Sequence, residues 1–117
     1  MNDETPLLSL LSRTLDLAAQ RHTLIASNLA NIDTPGYRTR DLDFAAELRH
    51  SLEGFAADSP RVMEVEGLPE RPDGNNVSLD RETLLLAQTQ LQFHTATHLL
   101  RAEFRMMSTA INEGRSS

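Results

Sequence analysis

Ala30-Asn31-Ile32-Asp33-Thr34-Pro35-Gly36-Tyr37 is the run on which the fold turns, because the residues on its two sides behave differently. Pro35 presets φ for the second position of a tight turn, and Gly36 supplies the positive φ that a type II turn needs at the third. Pro35 also lacks an N–H and pushes Thr34 out of the helical region. A helix arriving from the N-terminal side therefore stops near Asn31. Read by itself, the run is a helix stop followed by a turn.

Upstream, residues 7–32 are expected to form the first helix. Leu8, Leu11, Leu15, Ala18, His22, Ile25, Leu29 and Ile32 keep a 3-4 spacing, the seam of a coiled coil. A second row of Leu10, Leu17 and Leu24 repeats every seven residues beside it. Two adjacent rows make a face wider than one helical partner covers. Pro6 sits where helices begin, with Thr5 as the expected cap.

Downstream, residues 33–40 form the turn and its exit, and residues 41–54 a shorter helix. Thr39 or Asp41 is the expected N-cap. Leu42, Ala45, Leu48 and Leu52 line one face, flanked by Phe44 and Phe55. Residues 55–78 gather Pro60, Gly67, Pro69, Pro72 and Gly74 and read as an irregular loop, with Val62-Met63-Glu64-Val65-Glu66 as one short strand. Residues 79–113 read as the longest helix, capped by Ser78 and stopped by Gly114. Its seam runs through Leu79, Thr83, Leu86, Gln90, Phe93, Thr97, Leu100, Phe104, Met107 and Ile111, beside a row of Leu85, Ala96, Leu99, Met106 and Ala110.

The fold class that follows is all-α: long N- and C-terminal helices paired antiparallel like a coiled coil, a shorter helix, and an irregular middle loop. One 117-residue domain is the expectation. If the long helices pair through one row each, their second rows stay uncovered. Each large apolar side chain left in water forgoes about 1.5–3 kcal/mol of burial. Leu10, Leu17, Leu24, Leu85, Leu99 and Met106 are thus the candidate residues of an assembly interface.

Composition excludes several functions. A net charge of −6 argues against a nucleic-acid or anionic-membrane surface, and the absence of Cys removes disulfides and thiolate chemistry. Met1-Asn2-Asp3-Glu4-Thr5-Pro6 has no basic n-region, so no cleaved secretory signal is expected. His94 and His98 stand four apart, but Thr-Ala-Thr lies between them in place of a metalloprotease's Glu, and no third ligand is evident. No phosphate-binding loop, nucleophile elbow or paired-carboxylate arrangement occurs. Arg38, Arg40 and Arg49 read as a solvated basic cluster. No enzyme, cofactor, metal or small-molecule substrate is expected.

Leu24-Ile25-Ala26-Ser27-Asn28-Leu29-Ala30-Asn31-Ile32-Asp33-Thr34-Pro35-Gly36-Tyr37 resembles the N-terminal signature of the bacterial flagellar axial proteins, the family of rod, hook and related subunits. Asn31, Thr34, Pro35, Gly36 and Tyr37 carry the shared core. Two further runs resemble the proximal-rod branch of that family: Arg38-Thr39-Arg40-Asp41-Leu42-Asp43-Phe44, and Asp73-Gly74-Asn75-Asn76-Val77-Ser78-Leu79-Asp80-Arg81-Glu82. The resemblance implies a structural subunit whose terminal helices pack together and then against neighbours in a tube-like rod. It also implies a place in the flagellar basal body, across the periplasm, reached through the flagellar type III export apparatus. Copies of itself, FlgC-like rod proteins, a FliE-like adaptor and membrane-ring and export-gate proteins are the implied partners. On that reading the turn sets the angle at which the first helix leaves the core, and Tyr37 packs between subunits. A type III export chaperone or adaptor, also small, acidic and helical, is the alternative, but has no use for the Thr-Pro-Gly-Tyr run.

Overall fold

In the computed structural model, residues 6–54 and 59–116 are described. The elements follow the order α1 (Pro6–Ala30), β1 (Arg40–Leu42), α2 (Phe44–Leu52), β2 (Val62–Glu64) and α3 (Leu79–Ser116). The expected cap Thr5, and Phe55 with the start of the expected loop, lie outside the described residues. The molecule is a rod about 72 Å long and 26 Å by 17 Å across.

α1 and α3 pack along each other in opposite directions. Leu10, Leu11 and Thr14 share a groove with Leu91, Thr95 and Leu99, Ala18 and His22 share another with Thr89, Phe93 and His94, and Asn28 reaches Glu82. Leu8, Leu11, Ala18 and Ile25 of the first seam are buried, and on α3 Ala96 is only 3% exposed. His22, although in that seam, is exposed.

The second row of α1 has a different fate from the one expected. Its middle member, Leu17, is fully buried. At 100° per residue, Leu10, Leu17 and Leu24 share a side of α1 with Arg21 and Asn28. On that side Arg21 pairs with Asp41 and Asn28 bonds the backbone of Arg40. The chain between the two long helices folds back on that side and encloses Leu17, while Leu10 and Leu24 stay half-buried.

The turn forms as its residues dictate. Tyr37 N–H donates to the Thr34 carbonyl across 3.2 Å, and Gly36 has φ +75°, as a type II turn requires. Beyond it the chain is extended. β1 pairs antiparallel with β2 in the register Arg40↔Glu64, Asp41↔Met63 and Leu42↔Val62, and Val65 N–H prolongs the ladder to the Thr39 carbonyl.

β1 displaces the expected start of α2. Leu42 belongs to the strand, 3% exposed, and the N-cap is Asp43, whose carboxylate accepts from Ala46 N–H at 3.0 Å. Thr39 and Asp41 are not caps, because both are buried and bonded elsewhere. Leu52, expected on the apolar face, is 68% exposed. Ser78 does cap α3, its hydroxyl accepting from Arg81 N–H. α3 continues through Gly114 to Ser116, since a lone glycine weakens an exposed helix without ending it.

Candidate functional site

Two regions stand out: a buried polar cluster where the turn meets the start of α3, and the far end of α3. The cluster is built from the motif residues that sequence reading singled out separately. Asn28, in the last turns of α1, is 1% exposed. Its Nδ2 donates to Glu82 Oε1 at 2.7 Å and to the Arg40 carbonyl at 2.9 Å. Its Oδ1 accepts from Arg40 N–H at 3.1 Å and from Tyr37 Oη at 3.0 Å. One side chain thereby holds the edge of β1, the turn's tyrosine and the first turn of α3.

Glu82 is fully buried and bears a charge that burial alone would not tolerate. Arg81 neutralises it, with Nη1 2.7 Å from Glu82 Oε2 and Nη2 2.7 Å from Asp41 Oδ2. Arg21 approaches the same Asp41 with two parallel bonds of 3.1 and 3.0 Å. Two arginines from different helices and two carboxylates thus form a balanced group, and Leu42 N–H adds a bond of 2.8 Å to Asp41.

The run before α3 closes the cluster from the other side. Asn75, fully buried, sends Nδ2 to the carbonyls of Asn31 and Thr34, each at 2.9 Å, and so fastens both ends of the helix stop. Asn76 Oδ1 accepts from Thr39 N–H at 2.7 Å, while the Thr39 hydroxyl donates to the Asn76 carbonyl. Gly36 and Gly74, both at positive φ, lie back to back: a Cβ on Gly74 would stand 3.6 Å from the Gly36 Cα. Arg38 bonds Glu70 and the Gly74 carbonyl, so it is no free surface cation, whereas Arg40 and Arg49 are exposed.

Tyr37 is half-buried, its hydroxyl bonded to Asn28 and Ser27 of its own chain. Asn31 ties its side chain to the Ser27 carbonyl and the Thr34 hydroxyl. Thr34, Pro35 and Gly36 form the exposed tip of the turn. The roles of Asn28, Asn75 and Glu82 escaped the sequence reading. For Asn28 and Glu82 the signal was a polar side chain close to apolar seam positions of a helix; Asn75 stood in a run that read only as a turn.

At the other end, α3 outruns α1. The grooves between them end near Leu99, and from Phe104 onward the seam has no cover among the described residues. Phe104 is 54% exposed and Ile111 55%. Met106 and Met107 are exposed there too, as are Leu84, Leu91 and Leu99 nearer the pair. Of the candidate interface residues, Leu99 and Met106 are therefore at the surface, and Leu10, Leu24 and Leu85 are half-buried. Leu17 is withdrawn as an interface candidate because its own chain encloses it.

His94 lines one groove together with His22, and His98 does not join them. Among the described residues no group of three or more metal-ligating side chains exists, and no helix is long and apolar enough to cross a membrane.

A rod of paired terminal helices, locked at the turn and apolar at one end, has the form of an assembly subunit. Residues 8–38, from α1 through the turn, match the family described as flagella basal body rod protein. The chain is 33% identical to flagellar basal body rod protein FlgB of Salmonella typhimurium, over 86% of this chain and 88% of that protein. FlgB of Escherichia coli is 34% identical over the same shares, and FlgB of Cereibacter sphaeroides 31% identical over 86% of this chain and 89% of its own. The chain belongs to the flagellar basal-body rod protein family. It is a structural protein and not an enzyme, and nothing in these relationships favours an export chaperone.

Proposed function

We propose that the chain is a subunit of the proximal part of the flagellar rod and joins it through the uncovered end of α3. The observation that carries this reading is the end of α3 beyond its groove with α1, where Phe104, Met106, Met107 and Ile111 are all exposed within about two helical turns. A cluster of large apolar side chains left in water at one end of a subunit marks a surface for a neighbour. In the rod those neighbours are other copies, FlgC-like rod proteins and a FliE-like adaptor beside the membrane ring and export gate. Contacts between unlike surfaces, repeated without closing, build the helical tube. The subunit reaches its place in the periplasm by type III export, and a chain free of Cys suits that passage.

Deletion of the gene and complementation with Phe104→Ser/Ile111→Ser tests the reading. The variant is expected to be made and folded but to leave cells non-motile and without rods. Normal motility would overturn it.

A further inference from the structure

We propose that His22 and His94, one from each long helix, form a two-histidine site for a single zinc ion that staples α1 to α3. Sequence spacing pairs His94 with His98 on its own helix. The structure pairs it with His22 instead: both line one groove of about 340 Å³ between the helices, and His98 lies outside it.

The alignment of the helices explains the pairing. Asn28 meets Glu82 and the helices run in opposite directions, so His22, six residues before Asn28, stands level with Gln88. His94 is six residues further along α3, about 9 Å by helical rise. Side chains lean toward the N-terminus of their own helix. In an antiparallel pair that lean carries His22 toward His94 and His94 toward His22. Both are exposed, so both rings are free to turn onto one ion. Ala18 and Ala19, small side chains across from Phe93, keep the groove between them open.

Thr89 is a second, independent sign. It is 2% exposed, lines the same groove, and its hydroxyl has no hydrogen-bond partner among the described residues. Thr14, Thr23 and Thr97 return their hydroxyls to the carbonyl four residues back. Thr83, Thr95 and Thr109 are exposed to water. Thr89 alone among the described helical threonines has neither outlet. A buried hydroxyl without a partner is costly, and a bound water or ion beside it is one way to satisfy it. Zinc held by two imidazoles keeps positions for water in its tetrahedral shell. One such water donates to Thr89 Oγ1.

The staple falls between the polar cluster at the turn and the free end of α3. It stands whether or not that end contacts a rod neighbour.

Thermal unfolding of the full chain with zinc chloride alone tests the site. About 1 mM zinc should raise the midpoint by about 5 °C or more, and EDTA should reverse the rise. His22→Gln and His94→Gln should each abolish the rise. Both residues are exposed, so the metal-free midpoint of either variant should stay within about 2 °C. His98→Gln should keep the rise. In a zinc titration followed by NMR, the ring signals of His22 and His94 should shift together and saturate at one ion per chain, with those of His98 unmoved. No rise with zinc, or a rise that survives His22→Gln, would overturn the proposal. So would a rise lost in His98→Gln, the outcome for a site built on α3 alone.

Discussion

The side-chain amide of Asn28 donates to the carboxylate of Glu82 at 2.7 Å, joining residues 54 positions apart in the chain. Both residues are buried, at 1% and 0% exposure, and beside this bond Asn28 holds Arg40 and Tyr37 while Glu82 pairs with Arg81. Asn28→Ala leaves Glu82 Oε1, Tyr37 Oη and both backbone groups of Arg40 short of a partner. A loss of about 3 kcal/mol is expected, read as a lower denaturation midpoint with an unchanged slope. Asn28→Leu/Glu82→Leu should cost less than the sum of the single changes, because replacing both partners removes the stranded group.

Gly36 has open space around an added Cβ, so the cost of replacing it is purely conformational. At φ +75° an alanine should cost about 1–2 kcal/mol. Gly36→Val should cost more, since branching stiffens the side chain in a region it avoids. Thermal melts of both variants check the order.

Asp43 accepts from Ala46 N–H and starts α2. Asp43→Ala should cost about 1 kcal/mol. Hydrogen exchange should speed up at Ala46 and its neighbours in α2 while α1 and α3 stay protected. Uniform loss of protection would mean that α2 does not open on its own.

Phe104→Ser should behave in the opposite way to the core variants. The side chain is more than half exposed in the single chain, so subunit stability should move by less than about 0.5 kcal/mol. Assembly is where its effect should appear.

Much of this architecture was legible in residue spacing. The 3-4 rows of Leu8 to Ile32 and Leu79 to Ile111 identify two long helices, and Pro35-Gly36 ends the first. What spacing does not carry is which element covers which row. Leu17 looks as available as Leu99, and only the return of β1 and α2 over α1 separates a core residue from a surface one. The start of α2 was misplaced for a similar reason. Asp41 has the chemistry of a cap, but two arginines distant in sequence, Arg21 and Arg81, claim its carboxylate and leave capping to Asp43. The motif before α3 was visible as turn chemistry. Its bonds to the other motif were not, because hydrogen bonds between distant segments leave no periodicity.

The central claim is that the far end of α3 meets a neighbour in the rod while Leu17 meets only its own chain. A photo-crosslinking amino acid at position 104, with one at position 17 as control, tests it in basal bodies isolated from the flagellated host. The account requires position 104 to yield adducts with other rod subunits and position 17 to yield none between chains. Basal bodies that contain the protein but give no intermolecular adduct from position 104 would contradict it.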